Sequence, residues 1–437
     1  MASLRPISEL GSLIQDHTRT IEDGMKGSPG GEFLTSFGSK PAQMPSSLAP
    51  PRAELLETLD ELRARLLGPM GYLTSLALPS PVITIVLQTL YTYNIASHVP
   101  LTPGATITYP DLAARCGLPV DDTRRIMQAA IAFRIFEEAS PDTSVRHNAL
   151  SGILAVIPGM NDVLGFLVEE HTAAAAKFVE SLRRWPGSGE PGHCALMLAS
   201  RAEKGLSNDD FEDPSKGYFD FIADDEKRVA RFRMAMGLAS NSPAYSWSYF
   251  VDSLPWADSE QCPETIADIG GAGGELCHAI LRKYPGVKKA TVLDLPEVIA
   301  GVKAPEDLEA RLDFAAYNFL AETVTLKVDA YVFRHIFHDW SDQYAAKILT
   351  NLVPALKSSS RIWIAEVVLP DLSESAHTRD QTQRGADLIM KIGHNGKERS
   401  KRGWEDLFAE ADKRFRIESI VQPAGAHDAI IEVVFDA

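Results

Sequence analysis

Residues 264–296 read ETIADIGGAGGELCHAILRKYPGVKKATVLDLP, and the architecture of the chain can be inferred outward from them. The stretch opens with a short apolar run, 265–269, that ends in a glycine-rich turn. A helical pattern follows, and a second apolar run, 290–293, delivers Asp294, whose carboxylate can accept hydrogen bonds from both hydroxyls of a ribose. This order predicts a β-α-β unit. Glycine suits the turn because a side chain would hold a ligand away from the backbone.

The spacing of the glycines separates two classes of nucleotide cofactor. A dinucleotide site requires G-x-G-x-x-G, which places a pyrophosphate on the helix N-terminus. Read from Gly271 the sixth position is Leu276, and read from Gly270 the third is Ala272, so the pattern fails in both registers. Asp268, two residues before the first glycine, suits a ligand with a cationic amino-acid portion. The stretch therefore favours S-adenosylmethionine, the alternative being an ordinary strand-turn-helix with surplus glycine.

Composition narrows the class of protein. The 437 residues are 45% hydrophobic and 23% charged, which indicates a soluble globular protein of two or three domains. A net charge of −16 argues against a nucleic-acid partner, since phosphate binding relies on clustered Lys and Arg. The four cysteines form no C-x-x-C pair, so neither a disulfide framework nor a zinc site is expected.

Neither a membrane span nor a signal peptide is predicted. The apolar stretch from Leu73 to Ala96 is interrupted by Pro79 and Pro81, so it is interpreted as a buried helix. The N-terminus, MASLRPISELGSLIQ, lacks a basic-then-apolar signal pattern. We therefore expect no membrane partner and a cytoplasmic location.

Four segments are predicted along the chain. They are an N-terminal helix and linker (1–50), a helical, winged-helix dimerisation domain (51–155), a helical bridge with substrate-pocket residues (156–258) and a catalytic domain (259–437). The linker, 27–51, is rich in Gly, Ser and Pro. An N-terminal helix that is tethered by a linker to buried helices indicates a contact with a second subunit. Docking of that helix on its own chain is an equal alternative.

Residues 106–150 have the pattern of a helix-turn-helix followed by a β-wing. One helix is expected to end at Gly117, and strands are expected near Phe136 and Val145. Within 106–138, four arginines and five acids leave no basic face for DNA. The unit is therefore interpreted as a structural or dimerising module.

Beyond Asp294 the α/β pattern continues to the C-terminus. Two helices are predicted, at 342–356 and 404–411, and the predicted strands are 312–316, 330–333, 362–368, 415–420 and 429–435. The last two read as an antiparallel hairpin that closes an otherwise parallel sheet of seven strands. Ligands are expected at the carboxyl ends of the parallel strands.

Three ionisable residues follow strands or loops at that edge. His338 lies just past the fourth strand, Glu366 ends the fifth, and Glu398 lies in the loop before the last helix. An imidazole with two carboxylates can act as a general base that is held in one tautomer and stabilised when protonated. Each residue also has a simpler interpretation when it is considered alone: His338 could cap a helix, and Glu398 could be a surface residue.

Five motifs in order resemble those of plant caffeic-acid-type and fungal secondary-metabolite O-methyltransferases, which use S-adenosylmethionine. They are DIGGAGG from Asp268, DLP from Asp294, HDWSD from His338, AEVVLP around Glu366 and GKERS around Glu398. The resemblance extends from about residue 55 to the C-terminus. It implies a class I (Rossmann-like) methyltransferase fold with a winged N-terminal domain that forms a homodimer.

The resemblance also implies roles for individual residues. His338 would be the base, with Glu366 and Glu398 as its carboxylate partners. The cofactor-binding candidates are Asp268, Gly270, Gly271, Gly273, Asp294, Leu295, Asn318, Phe319 and Arg334. The substrate-binding candidates are Phe232, Met236, Trp247, Asp339 and Met390. No metal site is expected.

Three positions depart from the family pattern. Ala272 replaces the central glycine of the loop, Asn318 replaces an acid expected near the adenine, and Arg334 stands where plant enzymes have lysine. Asparagine can still accept a hydrogen bond, but without charge. The first two changes bear on cofactor affinity.

The expected reaction is methyl transfer to a phenol or enol oxygen of a small, polyketide-like metabolite. Two alternatives stay open: a pericyclic or dehydration enzyme that only binds S-adenosylmethionine, and a non-catalytic biosynthetic partner. An inert partner would be expected to have lost the three ionisable residues, and this chain keeps them.

Overall fold

The computed structural model describes residues 5–26, 45–206, 213–223, 225–240, 242–258, 260–370 and 377–436. The chain forms two compact units. The first unit comprises residues 1–173, 225–236 and 376–378, and the second comprises 174–224, 237–375 and 379–437. Most of the predicted linker, 27–44, lies outside the described residues, and the fourfold domain division remains a prediction.

The first unit is mainly helical. Its helices are Ile7–Met25, Ala49–Ala77, Pro79–Thr92, Ile95–His98, Tyr109–Cys116, Val120–Ala132, Ala149–Val156, Met160–Gly165 and the π-helix Phe166–His171, and it shares Glu226–Ser240 with the second unit. The helix 49–77 bends at Gly68, where φ is +66°, because the next residue is a proline. It begins at residue 49, inside the predicted linker.

The predicted elements of residues 106–150 are present. Tyr109–Cys116 is capped by the Thr108 side chain, which accepts a hydrogen bond from the Asp111 amide, and it ends at Gly117 with φ +69°. The second helix is Val120–Ala132. The strand before the helices, β1 (Ile107–Thr108), and the two after them, β2 (Phe136–Ser140) and β3 (Ser144–His147), form an antiparallel sheet in the order β1-β3-β2. The role of this module in dimerisation stays a prediction.

The apolar stretch 73–96 is not a uniformly buried helix, so that prediction is wrong for the single chain. In the helix Pro79–Thr92 only Val86 and Leu90 are buried. A row of large apolar side chains is instead exposed, by 55–76%: Leu66, Met70, Leu73, Leu76, Leu78 and Ile85. The apolar sequence predicts that these side chains are buried, but it does not specify whether they pack against the same chain or against another molecule.

This same region carries the apolar character of a membrane helix. Among the described residues, the helical stretch Ala49–Thr92 is long and apolar enough to cross a bilayer, by length and composition alone. The bent pair Ala149–Val156 and Met160–Arg184 meets the same criterion if its two helices are counted as one span. No such segment was expected from the sequence. Its helices are interrupted at Gly68 and restart at Pro79.

The second unit is built on a seven-stranded sheet. The strands of the whole unit are β4 (Thr265–Ile269), β5 (Lys289–Asp294), β6 (Leu312–Ala316), β7 (Ala330–Arg334), β8 (Arg361–Glu366), β9 (Val368–Leu369), β10 (Arg399–Ser400), β11 (Phe415–Val421) and β12 (Ala429–Phe435). The order in the large sheet is β11-β12-β8-β7-β4-β5-β6, and β9 pairs separately with β10. The strands β4 to β8 are mutually parallel, while β12 pairs antiparallel with both β8 and β11. The predicted fold class is confirmed.

The helices of this unit are Thr172–Arg184, Ala195–Glu203, Tyr218–Ala223, Trp247–Ser253, Glu275–Lys283, Pro296–Ile299, Asp342–Leu352, His377–His394 and Lys401–Ala411. Four of them, 247–253, 275–283, 342–352 and 401–411, supply side chains to the apolar clusters of the sheet. Tyr331 and Phe333 belong to one apolar cluster, whereas Val332 between them belongs to a second. This alternation shows that β7 is buried on both faces, as a central parallel strand requires.

Candidate active site

The glycine-rich turn after β4 uses left-handed backbone. Gly270, Ala272 and Gly274 have φ angles of +72°, +47° and +79°. A Cβ on Gly271 would lie 2.5 Å from Oδ2 of Asp268, so only glycine lets the turn fold back over that carboxylate. Ala272 adopts positive φ with its residue exposed, so its methyl group does not crowd the turn.

Asp294 is the last residue of β5, and its side chain binds the glycine-rich turn that follows the neighbouring strand β4. Its Oδ2 accepts a hydrogen bond from the Ala272 amide (2.8 Å), and its Oδ1 accepts one from the Leu295 amide (2.7 Å). Partial burial raises the pKa of its carboxyl group. A carboxylate has about four acceptor sites, so roughly two remain for ribose hydroxyls. The residues present therefore fit a ribose-bearing cofactor.

Asp268 lies beneath the turn rather than on its surface. It is 2% exposed, and burial raises the pKa of its carboxyl group to about 7. The Cys277 thiol lies 3.6 Å from Oδ2. In this structure the carboxylate of Asp268 lies against Gly271, and its predicted contact with the cofactor remains a prediction.

Asn318 and Phe319 follow β6. Oδ1 of Asn318 accepts hydrogen bonds from the backbone amides of Leu320 (2.9 Å) and Ala321 (3.2 Å). Because both lone pairs are used in this way, the atom that can address a ligand is the amide nitrogen, a donor, rather than the acceptor suggested by the sequence. The Phe319 ring packs edge-on against Trp340, with centroids 5.9 Å apart.

Arg334 ends β7 and lies over an aromatic ring. Its guanidinium carbon is 4.1 Å from the ring centre of Trp247, and its Nη2 donates to the Tyr245 carbonyl (2.9 Å). Burial lowers the pKa of Arg334 from its usual value, against the opposing effect of Asp428 and Asp268. This cation–π contact links two predicted ligand-binding residues.

The three predicted catalytic residues meet in space. Nδ1 of His338 lies 3.0 Å from Oε1 of Glu398 and 3.6 Å from Oε2 of Glu366. The side chains of the two glutamates are 3% and 1% exposed, whereas that of His338 is 18% exposed. They come together because β7 and β8 are adjacent and parallel, so the residues that follow them share one sheet edge. These three residues are called the base trio below.

Backbone hydrogen bonds hold Glu366 in place. Its Oε1 accepts from the amides of Ile336 (2.8 Å) and Phe337 (2.7 Å), in the short turn that carries His338. Glu398 is fixed from the other side, since its own amide donates to Oδ1 of Asp387 (2.9 Å). The carboxylate of Glu366 is therefore positioned by backbone donors, whereas that of Glu398 has its hydrogen bond with the imidazole itself.

Arg399 holds the carbonyl side of the same turn. Its buried guanidinium donates to the carbonyls of Phe337 (2.7 Å) and Trp340 (2.8 Å). The carbonyl of His338 itself accepts from the Lys397 amide (3.0 Å). The loop that supplies Glu398 therefore also fixes the backbone of His338.

The charges around His338 favour the protonated ring. Burial lowers the pKa of His338, but the carboxylates of Glu366, Asp339 and Glu398 outweigh it and hold that pKa well above the ordinary value. Burial raises the pKa of Glu366 to about 7, against the opposing effect of His338. The site thus stabilises the state that a general base reaches after it has accepted a proton.

Two further histidine–acid pairs lie next to the base trio. Neither pair was predicted from the sequence. His335 Nε2 lies 2.7 Å from Oδ2 of Asp428, and its ring stacks on His338 with centroids 5.4 Å apart. His394 Nδ1 lies 3.3 Å from Oδ1 of Asp339. The histidine spacing H-x-x-H at 335–338 was a visible signal, whereas Asp428, 93 residues away, gave none.

The predicted substrate residues fall in different parts of the chain. Phe232 and Met236 belong to the first unit, where the Phe232 ring packs against Phe166 at 6.1 Å. In the second unit, Met390 is half-buried on the helix 377–394. Asp339 lines a small cleft whose other walls include Pro191, Tyr218, Phe219, Trp340 and His394.

Comparison with known proteins identifies the family. A family model described as an O-methyltransferase domain matches residues 216–414. The O-methyltransferase kk1A of Curvularia clavata is 30% identical over 429 residues, covering 98% of this chain and 96% of its own. The O-methyltransferase pgmB of Aspergillus terreus is 28% identical over 447 residues, covering 100% of this chain and 97% of its own.

Solved structures share the fold over the same length. OxaC in complex with SAH and oxaline has a TM-score of 0.72 at 20% identity, covering 98% of this chain and 99% of its own. LepI in complex with SAM has a TM-score of 0.71 at 19% identity, covering 98% and 100%. At these identities the likeness supports the fold alone.

The fold and the glycine-rich turn define a class I methyltransferase. The chain belongs to the O-methyltransferase family, alongside enzymes of fungal secondary metabolism. Membership confirms the predicted enzyme class and its cofactor, S-adenosylmethionine.

Gly396→Ala tests how tightly the turn is held. A Cβ at residue 396 would lie 2.1 Å from the His338 carbonyl oxygen, which is backbone and has little freedom to move. Since a misplacement of about 1 Å can cost roughly 10²-fold in rate, we expect kcat/KM for methylation to fall by about that factor. Gly393→Ala, with nothing within 4 Å of its Cβ, is the control and should keep the wild-type rate. Equal rates in the two variants would contradict the packing described.

Proposed function

We propose that this protein methylates a phenol or enol oxygen of a small, polyketide-like metabolite, with His338 as the general base. The observation that carries the proposal is the complete base trio, with Nδ1 of the imidazole facing two buried carboxylates. A purely structural cluster would have no reason to keep His338 partly exposed while both of its partners are buried.

The trio assigns different tasks to the two ring nitrogens. In the neutral ring the proton resides on Nδ1, where it is donated to Glu398, and this leaves the Nε2 lone pair to accept the hydroxyl proton of the substrate. Glu366 and Glu398 then stabilise the imidazolium that forms. S-adenosylmethionine, when bound, supplies the electrophilic methyl group. The chain contributes orientation and proton removal rather than a covalent intermediate.

The cofactor would lie along the carboxyl edge of β4 to β7. Asp294 would bind the ribose, and Asn318, through its amide nitrogen, would bind the adenine beside Phe319. Arg334 with Trp247 would border the amino-acid portion. The remaining residues proposed for this site are Asp268, Gly270, Gly271, Gly273 and Leu295.

The acceptor substrate would be aromatic or enolic. The support for this is the aromatic character of the small cleft at Asp339, which Tyr218, Phe219 and Trp340 line. Met390, in the same unit, is a further proposed contact, and the roles of Phe232 and Met236 remain predictions. Cytoplasmic localisation remains a prediction.

A pericyclic reaction is the second candidate. A chain described as a pericyclic reaction enzyme has a TM-score of 0.71, at 19% identity and with 97% of this chain covered. Such a reaction would use the cofactor charge only as an electrostatic element. It would place no requirement on a base with two carboxylate partners, so the trio favours methylation.

His338→Ala tests the base directly. General-base catalysis typically contributes about 10²–10⁴-fold, so we expect kcat to fall by that factor while affinity for S-adenosylhomocysteine in calorimetry is unchanged. His17→Ala is the control, because it removes an imidazole of equal exposure (18%) that also faces a glutamate, Glu54, at 3.4 Å. Its turnover should match wild type.

The fate of the methyl group separates the two candidate reactions. With deuterated-methyl cofactor, mass spectrometry should find the product heavier by one labelled methyl. Repeated turnover with a product of unchanged mass, and no S-adenosylhomocysteine released, would contradict methylation and support the pericyclic alternative.

Asp294→Ala tests the ribose contact. Hydrogen bonds to charged groups contribute about 1.5–3 kcal/mol, so affinity for S-adenosylhomocysteine should weaken by at least about tenfold. Asp313→Ala, which removes an exposed acid paired with Lys289 from the neighbouring strand, should leave affinity unchanged. Wild-type affinity in Asp294→Ala would remove this residue from the site.

We also propose a homodimer whose interface includes the exposed apolar row on residues 66–85. An exposed row of this kind marks a binding surface. The breaks at Gly68 and Pro79, together with a net charge of −16, favour a second copy over an anionic membrane as its partner.

Light scattering tests this assembly. The full chain should have about twice the 47.8 kDa mass, and Leu76→Glu should shift it towards monomer or aggregate because a charge would be buried at the interface. Val421→Glu, at a 49% exposed position on the edge strand, is the control and should stay dimeric. A monodisperse wild-type monomer, or wild type that sediments with lipid vesicles, would overturn the proposal.

A further inference from the structure

The base trio holds more negative charge than its one imidazole can compensate. Oε2 of Glu366 and Oε2 of Glu398 are both buried, and neither has a hydrogen-bond partner within the described part of the chain. Oε2 of Glu366 is the atom that points at His338 Nδ1, at 3.6 Å. Buried carboxylate oxygens without a partner are costly, so this arrangement favours an added cation.

The donor atoms have the spacing of a metal site. One ligand atom from each of His338, Glu366 and Glu398 lies within 4.8 Å of the others, and two of the separations are 3.0 and 3.6 Å. Zinc binds imidazole nitrogen and carboxylate oxygen at about 2.0–2.2 Å, so two ligands at a tetrahedral angle lie roughly 3.4 Å apart. An ion can therefore enter with small side-chain adjustments.

We propose that the base trio is also a binding site for a divalent transition-metal ion, of which Zn²⁺ is the representative. Its ligands would be Nδ1 of His338 and one oxygen from each glutamate, with water in the fourth position, which is the donor set of an open zinc site. Mg²⁺ is disfavoured, because it prefers oxygen ligands and retains several waters. In this proposal, neither the cofactor nor the substrate contributes an atom that coordinates the metal ion.

Metal binding has a defined consequence for the imidazole. A neutral ring that coordinates through Nδ1 must carry its single proton on Nε2, and Oδ1 of Asp339 lies on that side at 3.8 Å. The lone pair that accepts the substrate proton is then unavailable. The bound ion is an inhibitor, and this consequence rests on the proposed function, whereas binding itself does not.

Calorimetric titration of the full chain with Zn²⁺ tests the site without any need for turnover. Removing an outer-shell partner of a metal typically costs about 10–100-fold in affinity, so losing a ligand in Glu366→Gln or Glu398→Gln should weaken Zn²⁺ binding by at least about tenfold. Glu54→Gln is the matched control, since Glu54 faces His17 at 3.4 Å outside the trio, and it should bind like wild type. Retained S-adenosylhomocysteine binding establishes that each variant is folded.

The outcomes separate this proposal from the proposed function. No saturable Zn²⁺ binding by wild type, or equal binding by the Gln variants and the control, overturns the metal site. Zn²⁺ binding that leaves methylation unaffected overturns the inhibition, while inhibition reversed by a chelator supports it. If instead His338→Ala retains turnover while the Gln variants lose Zn²⁺ affinity, the metal site stands and the assigned base is wrong.

Discussion

The carboxylate of Glu366 is the constraint on which the active site depends. One of its oxygens accepts two backbone hydrogen bonds, from Ile336 and Phe337, and the other points at His338. Hydrogen bonds to a charged acceptor are typically worth about 1.5–3 kcal/mol, and here they fix the turn before the imidazole is considered. Glu366, a buried acid at the end of β8, thus positions the turn that follows the neighbouring strand β7 and carries His338.

The rest of the site is arranged around that turn. Glu398 and Arg399 reach it from a loop about 60 residues further along, Glu398 through the imidazole and Arg399 through two carbonyls. The backbone that carries the imidazole is therefore held by Glu366 and Arg399, which is the preorganisation that general-base catalysis requires. The same surplus of carboxylate charge that stabilises the imidazolium also favours a competing cation.

Much of this arrangement could be predicted from the sequence, and the reasons for the rest are physical. The strands 265–269, 312–316 and 429–435 were predicted to the residue, from their apolar residues and their place in the repeating α/β pattern. The trio followed from motif order and strand ends. The pairs His335–Asp428 and Glu398–Asp387 were missed, since contacts between distant loops leave no periodicity. The exposed apolar row was predicted to be buried, because hydrophobicity does not indicate which molecule an apolar side chain packs against.

The tautomer of His338 is the most direct test of the account, because the role of His338 as the base depends on which nitrogen carries the proton. Long-range ¹H–¹⁵N NMR of the histidine side chains, with the resonance assigned by its loss in His338→Gln, reports this at a pH where the ring is neutral. The account predicts a proton on Nδ1 and a bare Nε2 in wild type. A neutral ring protonated on Nε2 in the metal-free protein would contradict it.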